Sequence, residues 1–531
     1  MPANTSAKDV RFGTCATKGF VHAAEKLQRT LGVTLGPAGH YVAINSATQK
    51  HPTISNDGAI VATHINSNCA QERLGLDVFR QAAMALNNGV GDGTTTATLL
   101  AACMLKAGMR YVEAGCNPVE IRRGMQAAAD AVCAALKTAS KPAKTEDVLR
   151  SVALTSCKSE QIACLLAKAF FELGSGTVVS VEKASVLGCA LDFKRGMLFD
   201  RGMISPKMAD NNTFMQASLH QPYILITNEK LSDNFLDLVP VLDEVIKTAH
   251  PLLIIADDVR GMSLSSLLKN KQAKRLQVVA VKAPQAGNLR LPELEDIAAF
   301  TGGEVVCKEK GVPLSLVRKP MLGRAQRVQV TKERTIIIGG KGKQQAINAR
   351  VNAINAQAQL PNSPYDTDVL RERAAKLEGK IATLSVGCQT ESELNEVRSR
   401  IQDAMCAVRS AMNEGVLPGG GVALLNAENA CDKVATKTPD ETRGAEVVKQ
   451  SLKQPFLTLC ENAGLNAKAE LEHVRSKKPG FGIDFKTGKY CNMLHAGVVD
   501  VTSGLLGGVQ AAASVAGLAL MCECTITNKQ D

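Results

Sequence analysis

Aromatic residues are scarce in this sequence: they make up 3% of its 531 residues, and tryptophan is absent. Proteins that bind single-stranded nucleic acid stack the bases on aromatic side chains, so a surface of that kind is not expected. The 16 cysteines lack the short, regular spacings of a disulfide scaffold or a zinc site. Cys522 and Cys524 are a weak metal signal, because no histidine lies nearby to complete four ligands.

Targeting and membrane-spanning patterns are also lacking. Met1–Lys18 shows no secretory leader pattern, and the sequence predicts no apolar run long enough to span a bilayer. Together with reduced cysteines, these features predict a cytoplasmic protein without a membrane partner. The formal net charge of +11 is spread along the chain, and its densest cluster is Lys269, Lys271, Lys274 and Arg275. Such a cluster is more typical of a solvated helix face than of a contact with an acidic partner, and a nucleic-acid partner is the least favoured interpretation.

Alanine-rich helical patterns occupy both ends of the chain, which is long enough for two to four domains. The first block predicts helices at Leu74–Leu86, Thr95–Val112 and Val119–Leu136. The second block extends from about Ala411 to Leu520 and contains three consecutive glycines before another apolar helix. The similarity of the two blocks predicts one domain built from both termini.

The middle of the chain instead contains short β-branched runs bounded by turns. They predict strands at Tyr223–Thr227, Leu252–Ala256 and Val278–Lys282, and helices at Phe235–Thr248, Met262–Gln272 and Leu291–Thr301. Because strands and helices alternate, we expect a mostly parallel sheet with flanking helices, inserted between the two helical blocks.

A long helix leads back from this middle region into the second helical block. Apolar residues recur along it at steps of three and four: Leu394, Val397, Ile401, Met405, Val408 and Met412. Asp403 lies about 200° around the helix from Ile401. We therefore expect Asp403 to point away from the apolar stripe, where it is free to reach another domain.

The segment Gly91–Thr98 reads Gly-Asp-Gly-Thr-Thr-Thr-Ala-Thr and runs directly into an apolar helical pattern. The unpaired N–H groups and the dipole at a helix N-terminus attract phosphate, and the threonine hydroxyls add donors. Asp92 is placed to hold a hard cation such as Mg²⁺ beside the phosphates. A glycine-rich turn capped by threonines is the alternative interpretation of the same residues.

Several strings, spread in order from about Lys8 to about Thr527, together resemble the bacterial-type (group I, GroEL-like) chaperonins. They are Val33–Pro37, Pro52–Ile54 with Asn56–Gly58, Gly91–Thr98, Phe199–Gly202, Pro251–Ala256, Lys282–Pro284, Gly415–Leu424 and Ala512–Leu518. The resemblance implies a multidomain α and α/β fold: a group I chaperonin subunit with a discontinuous helical equatorial domain, a small intermediate domain and an inserted α/β apical domain. It implies equatorial residues 1–138 and 414–531, intermediate residues 139–194 and 382–413, and apical residues 195–381.

The resemblance also implies an ATP site. In this numbering the matching nucleotide residues are Thr34, Leu35, Gly36, Pro37, Asp92, Gly93, Thr94, Thr95, Thr96, Gly420, Asp484, Val498 and Asp500. Asp92 matches the Mg²⁺-binding acid, and K⁺ is a further candidate cation. Asp57 and Asp403 match the two acids at the site of ATP hydrolysis, where Asp403 would orient or deprotonate the attacking water.

Two departures from the family pattern lie near this site. The family's Gly-Pro-Lys-Gly-Arg is Gly36-Pro37-Ala38-Gly39-His40 here, and the basic residue usual before the first catalytic acid is Asn56. Losing a charge-assisted contact costs roughly one to three kcal/mol, or about ten- to a hundredfold in affinity or rate. We therefore expect slowed or retuned hydrolysis. The usual Asn-Ala-Ala near the nucleoside is Asp484-Phe485-Lys486, which predicts altered base recognition.

The client surface implied by the resemblance combines apolar residues with two lysines. The matching apolar positions are Met203, Met208, Val239, Leu242, Leu264 and Leu268, and Lys207 and Lys269 lie among them. Exposed apolar surface is what misfolded proteins share, so the expected partners are non-native polypeptides, a lid co-chaperonin and further copies of the chain in a double heptameric ring. The first hypothesis is an ATP-dependent folding chaperonin. The alternative is a divergent paralogue with weak ATPase activity that mainly holds polypeptides or serves as a scaffold.

Overall fold

The structure is a computed structural model of the 531-residue chain. It describes residues 8–45, 53–56, 58–90, 93–175, 179–183, 188–210, 215–232, 235–285, 287–308, 311–359, 364–387 and 390–528. The statements below concern these residues.

Helices dominate the described part of the chain. The α-helices are α1 Thr14–Gly32, α2 Gly58–His64, α3 Ala70–Val90, α4 Thr94–Glu113, α5 Pro118–Ala139, α6 Glu146–Cys157, α7 Glu160–Leu173, α8 Phe235–Thr248, α9 Gly261–Gln272, α10 Arg290–Thr301, α11 Gln344–Ala358, α12 Pro364–Glu378, α13 Glu391–Glu414, α14 Val422–Ala427, α15 Pro439–Ser451, α16 Gln454–Asn462, α17 Ala467–Arg475 and α18 Thr502–Leu520.

Most strands are short. They are β1 Lys8–Phe12, β2 Val42–Ile44, β3 Thr53–Ser55, β4 Val179–Lys183, β5 Gly188–Phe199, β6 Ala217–His220, β7 Tyr223–Thr227, β8 Lys230–Leu231, β9 Leu252–Ala256, β10 Asp258–Val259, β11 Val278–Lys282, β12 Val305–Val306, β13 Gly323–Val330, β14 Thr335–Gly340, β15 Lys380–Gly387, β16 Val416–Pro418, β17 Phe481–Asp484, β18 Lys489–Asn492, β19 Val499–Val501 and β20 Cys524–Asn528.

The chain divides into two compact units. Unit 1 comprises Met1–Gly176, Ser185–Cys189 and Gly387–Asp531, and unit 2 comprises Thr177–Ala184 and Ala190–Val386. The helical unit is thus built from both ends of the chain with the second unit inserted. The residues expected to form a separate intermediate domain are divided between the two units, and the five-segment division into three domains stays a prediction.

Unit 1 is held together by helices from opposite ends of the sequence. Helix α4 packs on α18 and α5 packs on α15, around a core of small and aliphatic residues. The α5–α15 crossing is close because Gly124 and Gly444 lie at it: a Cβ on Gly124 would come within 1.9 Å of the Glu441 carbonyl oxygen. The pairing confirms that the two alanine-rich blocks form one body.

Strands β1 and β20 pair antiparallel and bring the two ends of the described chain together in unit 1. Their burial is the reverse of the usual alternation. Thr525 and Thr527 are buried, whereas Val10, Phe12 and Ile526 are exposed, with Phe12 67% exposed. An exposed apolar sheet face of this kind is typical of a contact surface.

Helix α13 buries a face shifted from the predicted stripe. Ile401, Ala404, Ala407 and Ala411 are fully buried, because alanine lets the helix approach its neighbours α6 and α18 closely. Asp403 is half-buried at the border of this face. The predicted reach of Asp403 to another domain stays a prediction.

Unit 2 contains the predicted strands and helices, and β7, β9, β11 and α8 have the predicted bounds. The sheet is mixed rather than mostly parallel. Strands β11, β9, β7 and β12 are parallel, but β13 joins β7 antiparallel and continues through β14 to β5. The antiparallel strands β5, β13 and β14 are not predicted from the sequence, and they make up the other half of the sheet.

A buried ion network joins three helices of unit 2. Asp296 on α10 accepts hydrogen bonds from Arg350 Nε on α11 at 2.7 Å and from Arg373 Nε on α12 at 2.8 Å. Asp296 and Arg373 are almost fully buried. Because each charge is paired, removing one partner would leave the others uncompensated in the interior.

One helix of the described residues, α18, is long and apolar enough to cross a membrane by length and composition alone. This corrects the expectation that no such run exists. Of its most apolar 18-residue window, 67% is buried inside the protein, which is the property of a core helix.

Candidate functional site

The first glycine loop, residues 31–40, follows α1 in unit 1. The Thr34 hydroxyl donates to the Leu31 carbonyl at 2.8 Å, so this side chain serves the turn itself. Asn462 at the end of α16 holds the loop from outside: its amide Nδ2 donates to the carbonyls of Gly32 at 2.8 Å and Leu35 at 2.9 Å. Asn462 is not predicted from the sequence, because nothing in the residues around it marks a loop 427 positions away.

Gly36 shapes the centre of this loop. Its φ of +82° is left-handed, and a Cβ there would lie 2.3 Å from Leu459 Cδ2. Within the described residues, no acceptor is found for the N–H groups of Gly36 and Ala38. Leu35 is half-buried and Pro37 is exposed. The loop therefore presents free backbone donors on a tight turn, which is what an anion requires.

The second glycine loop leads into α4. Gly93 precedes the helix with a left-handed φ of +85°, and a Cβ there would lie 3.2 Å from the carbonyl oxygen of Gly504. Thr94 is buried, and Thr95 and Thr96 are half-buried in the first turn. The N-terminus of α4 thus lies directly beside the start of α18.

Gly91, Asp92 and Asp57 lie outside the described residues. The neighbours of these acids are placed, however: a Cβ on Gly58, the first residue of α2, would come within 2.3 Å of Thr95 Oγ1. Helix α2 therefore begins against the first turn of α4.

The predicted nucleoside residues lie on paired strands. Strands β16 and β19 pair antiparallel with Leu417 opposite Asp500, and the Gly419 N–H donates to the Val498 carbonyl at 2.9 Å. Gly420 has a φ of +66° and lies between Met493 and Phe485: a Cβ there would meet Met493 Cε at 2.9 Å and a ring carbon of Phe485 at 3.7 Å. The structure therefore brings Gly420, Val498 and Asp500 together and adds two apolar side chains.

Asp484 is engaged within its own hairpin, and its predicted contact with the nucleoside stays a prediction. Its carboxylate accepts from the Lys486 N–H at 2.9 Å and from the Thr487 hydroxyl at 2.7 Å, and its own carbonyl accepts from the Gly488 N–H. Both carboxylate oxygens are thus used by the turn between β17 and β18. Asp484 stabilises this hairpin, and Phe485 is the residue of the triplet that reaches Gly420.

The helix that carries Asp403 is anchored at its C-terminal end. The Ser140 hydroxyl donates to the Glu414 carbonyl at 2.8 Å and shares a 2.8 Å hydrogen bond with the Thr502 hydroxyl. The Thr502 N–H donates to the Gly415 carbonyl. Helix α13 is therefore tied to the first residue of α18, next to the segment that contacts Gly93.

A buried hydroxyl at the start of α18 lacks a partner. Ser503 Oγ is buried without a hydrogen bond, immediately before Gly504. An orphaned polar atom of this kind calls for a partner such as a ligand or water. Elsewhere in unit 1, burial raises the pKa of the Cys460 thiol to about 12 and that of Cys431 likewise to about 12, because a thiolate would lose its hydration. Neither thiol supplies a nucleophile at neutral pH.

No group of three or more His, Cys, Asp or Glu arranged for a metal is found in the described part of the chain. The predicted Mg²⁺ ligand Asp92 lies outside that part, so its assignment stays a prediction.

The predicted client residues of unit 2 differ in exposure. Met203, Met208 and Leu242 are buried in the core, with Met208 fully enclosed under α9, where the Lys271 ammonium donates to its carbonyl at 2.6 Å. They lack the exposure that client contact requires. Val239, Leu264 and Leu268 are half-buried.

Two exposed apolar side chains on the same helices are not predicted from the sequence. Leu236 on α8 is 82% exposed and Met262 on α9 is 63% exposed. Both stand at the beginning of amphipathic helices, where periodicity alone does not separate the buried from the exposed face.

With this arrangement described, the comparisons with known proteins define the class. The TCP-1/cpn60 chaperonin family matches residues 27–530, and the chain belongs to that family. The chaperonin fold predicted from the sequence is confirmed, as is the resemblance to chaperonins.

A solved structure supports the same fold. The chain is similar to the chaperonin gp146 from the bacteriophage EL 2 (Pseudomonas aeruginosa), whose crystal structure was determined in the presence of ATP-BeFx. The similarity has a TM-score of 0.68 at 18% sequence identity and covers 99% of this chain and 100% of that one.

Proposed function

We propose that the protein is an ATP-dependent chaperonin that binds non-native polypeptides and promotes their folding in the cavity of a ring. The observation that carries the proposal is that glycine turns from distant parts of the sequence pack on shared elements of unit 1: Gly36 lies against Leu459 and Gly421 against Phe456, both on α16. Gly36, Gly93 and Gly420 all have left-handed φ values, and each is in close contact with another segment of unit 1. A Cβ at any of them would press on a neighbouring segment: on Leu459 from Gly36, on Gly504 from Gly93 and on Met493 from Gly420.

The residues present fit a nucleotide. The free N–H groups of Gly36 and Ala38, the first turn of α4 and the partnerless hydroxyl of Ser503 offer donors for phosphate oxygens. Phe485 and Met493 offer an apolar wall for the nucleoside. Asp92 would hold Mg²⁺, which neutralises phosphate charge, and K⁺ is a further candidate cation.

In this proposal, hydrolysis depends on Asp57 and Asp403. A carboxylate in hydrogen-bond reach of the attacking water orients it and accepts its proton. The half-buried position of Asp403 on α13, a helix tied to the start of α18, supports such a role. Ala38 and Asn56 replace basic residues of the family pattern, so the proposed rate is reduced rather than abolished.

Polypeptide binding is assigned to unit 2. Leu236 and Met262 supply exposed apolar surface, and Val239, Leu264 and Leu268 add half-buried contacts. Burial of Met203, Met208 and Leu242 leaves a smaller apolar surface than the sequence predicted. This observation favours the second candidate, a paralogue that holds polypeptides with little ATP turnover.

Assembly is proposed through unit 1. The sheet β1–β20 exposes Val10, Phe12 and Ile526, and the sheet β2–β3 exposes Ile54, which is 64% exposed. Each sheet has two strands in the described residues, so its outer edges are open to pairing with another copy. A double heptameric ring, a lid co-chaperonin and a cytoplasmic location are part of the proposal.

The test of the proposed chemistry is Asp403→Ala. Binding of radiolabelled ATP should persist, while steady-state hydrolysis should fall by about a hundredfold or more. Gln402→Ala, an exposed neighbour on the same helix, is the matched control and should leave both unchanged. Unaltered turnover in Asp403→Ala would remove this residue from the mechanism. If aggregation suppression persists without any hydrolysis in the wild-type protein, the holding function replaces the folding function.

A further inference from the structure

A groove of about 510 Å³ opens on unit 2 at the carboxyl end of β11. Ligands of α/β sheets bind outside the carboxyl ends of the parallel strands, so its position is that of a binding site. Six charged residues line it, of which Arg201, Lys282, Lys332 and Arg334 are basic and Asp200 and Glu333 are acidic.

The backbone that carries these side chains is firmly held. The Met203 N–H donates to the Thr331 carbonyl at 2.9 Å, and the Ile204 N–H donates to the Ala280 carbonyl at 3.0 Å. Gly202 packs directly on the turn between β13 and β14, since a Cβ there would lie 2.1 Å from the Lys332 carbonyl oxygen. The loop after β5, the end of β11 and this turn therefore form one fixed frame.

Two of the basic side chains lack a counter-charge. Arg201 and Lys332 are exposed, and neither has an acidic partner within ion-pair distance among the described residues. Arg334 pairs with Asp200 at 3.2 Å, but the Asp200 side chain is 80% exposed. Such an exposed pair exchanges readily for another carboxylate.

The fourth basic side chain, Lys282, also has only a partial counter-charge. Lys282 Nζ lies 3.4 Å from an oxygen of Asp258, whose other oxygen pairs with Arg260. One carboxylate thus serves two cations at the edge of the groove. With four basic and two acidic side chains in its lining, the groove has a positive charge that the described residues lining it do not balance.

We propose that this groove binds an extended, acidic segment of polypeptide. The cations project from three separate backbone segments, an arrangement that matches a row of Asp or Glu side chains better than one compact anion. The groove volume of about 510 Å³ is also far larger than the roughly 10–15 Å³ that one water molecule needs on the same measure, so a single phosphate would not fill it. The proposal rests on the polypeptide-binding part of the proposed function and names the class of segment that unit 2 selects.

The experiment measures fluorescence anisotropy of two labelled twelve-residue peptides with the full chain in the absence of nucleotide. One peptide alternates Glu with Ser and Gly, and the other has Lys in place of Glu. The Glu peptide should bind, with an affinity that falls as NaCl is raised, and the Lys peptide should not. Arg201→Gln combined with Lys332→Gln should weaken the Glu peptide by about tenfold. Lys477→Gln combined with Lys478→Gln, on exposed lysines of unit 1, is the matched control and should bind like wild type.

Equal binding of the two peptides, or wild-type affinity in the groove variant, would overturn the proposal. Displacement of the Glu peptide by inorganic phosphate, under conditions where NaCl of matched ionic strength does not displace it, would instead identify a small-anion site. Thermal unfolding of the groove variant should match wild type, since both side chains are exposed. ATP turnover depends on the site proposed in unit 1 and is measured in a separate assay. An absence of ATP turnover would count against the proposed function and not against this groove.

Discussion

Asn462→Ala tests whether the first glycine loop is organised for nucleotide. In the structure the Asn462 amide donates to the carbonyls of Gly32 and Leu35, at 2.8 and 2.9 Å. Alanine removes both donors and leaves two carbonyls without partners in a half-buried position. The loop that carries the free N–H groups of Gly36 and Ala38 then loses the only side-chain hydrogen bonds that join it to α16 within the described residues.

The magnitude follows from the two hydrogen bonds. At about 1 kcal/mol for each net hydrogen bond, the variant loses about 2 kcal/mol in total. If the loop stays ordered, this loss lowers the free energy of unfolding. If the loop becomes disordered, ATP binding must order it again, and the same 2 kcal/mol weakens ATP affinity by up to about thirtyfold.

The assay combines isothermal titration calorimetry of ATP binding with thermal unfolding of the same preparation. Asn462→Asp is the sharper variant, because it keeps the size of the side chain but places a carboxylate oxygen against the carbonyls. Asn352→Ala, at an exposed position of α11 in unit 2, is the control and should change neither quantity. If Asn462→Ala and Asn462→Asp both retain wild-type ATP affinity and wild-type unfolding temperature, the loop does not depend on this clamp.

Three further changes test other parts of the structure. Gly124→Ala places a Cβ 1.9 Å from a backbone carbonyl oxygen of α15, so we expect a loss of at least about 2 kcal/mol in denaturant unfolding. Burial raises the pKa of the Glu293 carboxyl, and the folded state therefore binds this proton more tightly than the unfolded state. Its contribution to stability declines as the pH rises above 4.5, so Glu293→Gln should raise the unfolding temperature at pH 7 and lose that advantage as the pH falls towards 4.5. The double variant Leu236→Ser with Met262→Ser should lose most of the suppression of client aggregation measured by light scattering, whereas Leu316→Ser, at another exposed position of unit 2, should retain it.

Local patterns predict much of this fold because the relevant interactions are local. The β-branched runs at Tyr223–Thr227, Leu252–Ala256 and Val278–Lys282 form strands with those bounds, since turns delimit them on both sides. The buried face of α13 was misjudged because Ala404 and Ala407 pack more closely than larger apolar residues. Hydrophobic periodicity assigns little weight to alanine, although alanine allows the closest helix contact.

The candidate site is predicted less completely, because its residues acquire their roles from distant contacts. Positive φ values at Gly36, Gly93 and Gly420 agree with the glycine-rich strings that drew attention to them. Asn462 and Ser503 carry no local signal, since their roles depend on a loop and a helix end that only folding brings near. Asp484, in contrast, matches a position of the family pattern, but its carboxylate accepts hydrogen bonds within its own hairpin.

The insertion of unit 2 has a consequence for the order of folding. The contact between α5 and α15 must close a loop of about 300 residues, for which chain entropy is the main obstacle. Unit 2 is nearly continuous in sequence, and its strands β4 and β15 pair in parallel with Val179 beside Ala382. Once this unit has folded, its entry and exit are neighbours, and the loop behaves as one of about 100 residues. The entropic free-energy cost of closing the loop is then about 1 kcal/mol lower. Folding of unit 2 therefore makes it easier for the two halves of unit 1 to meet.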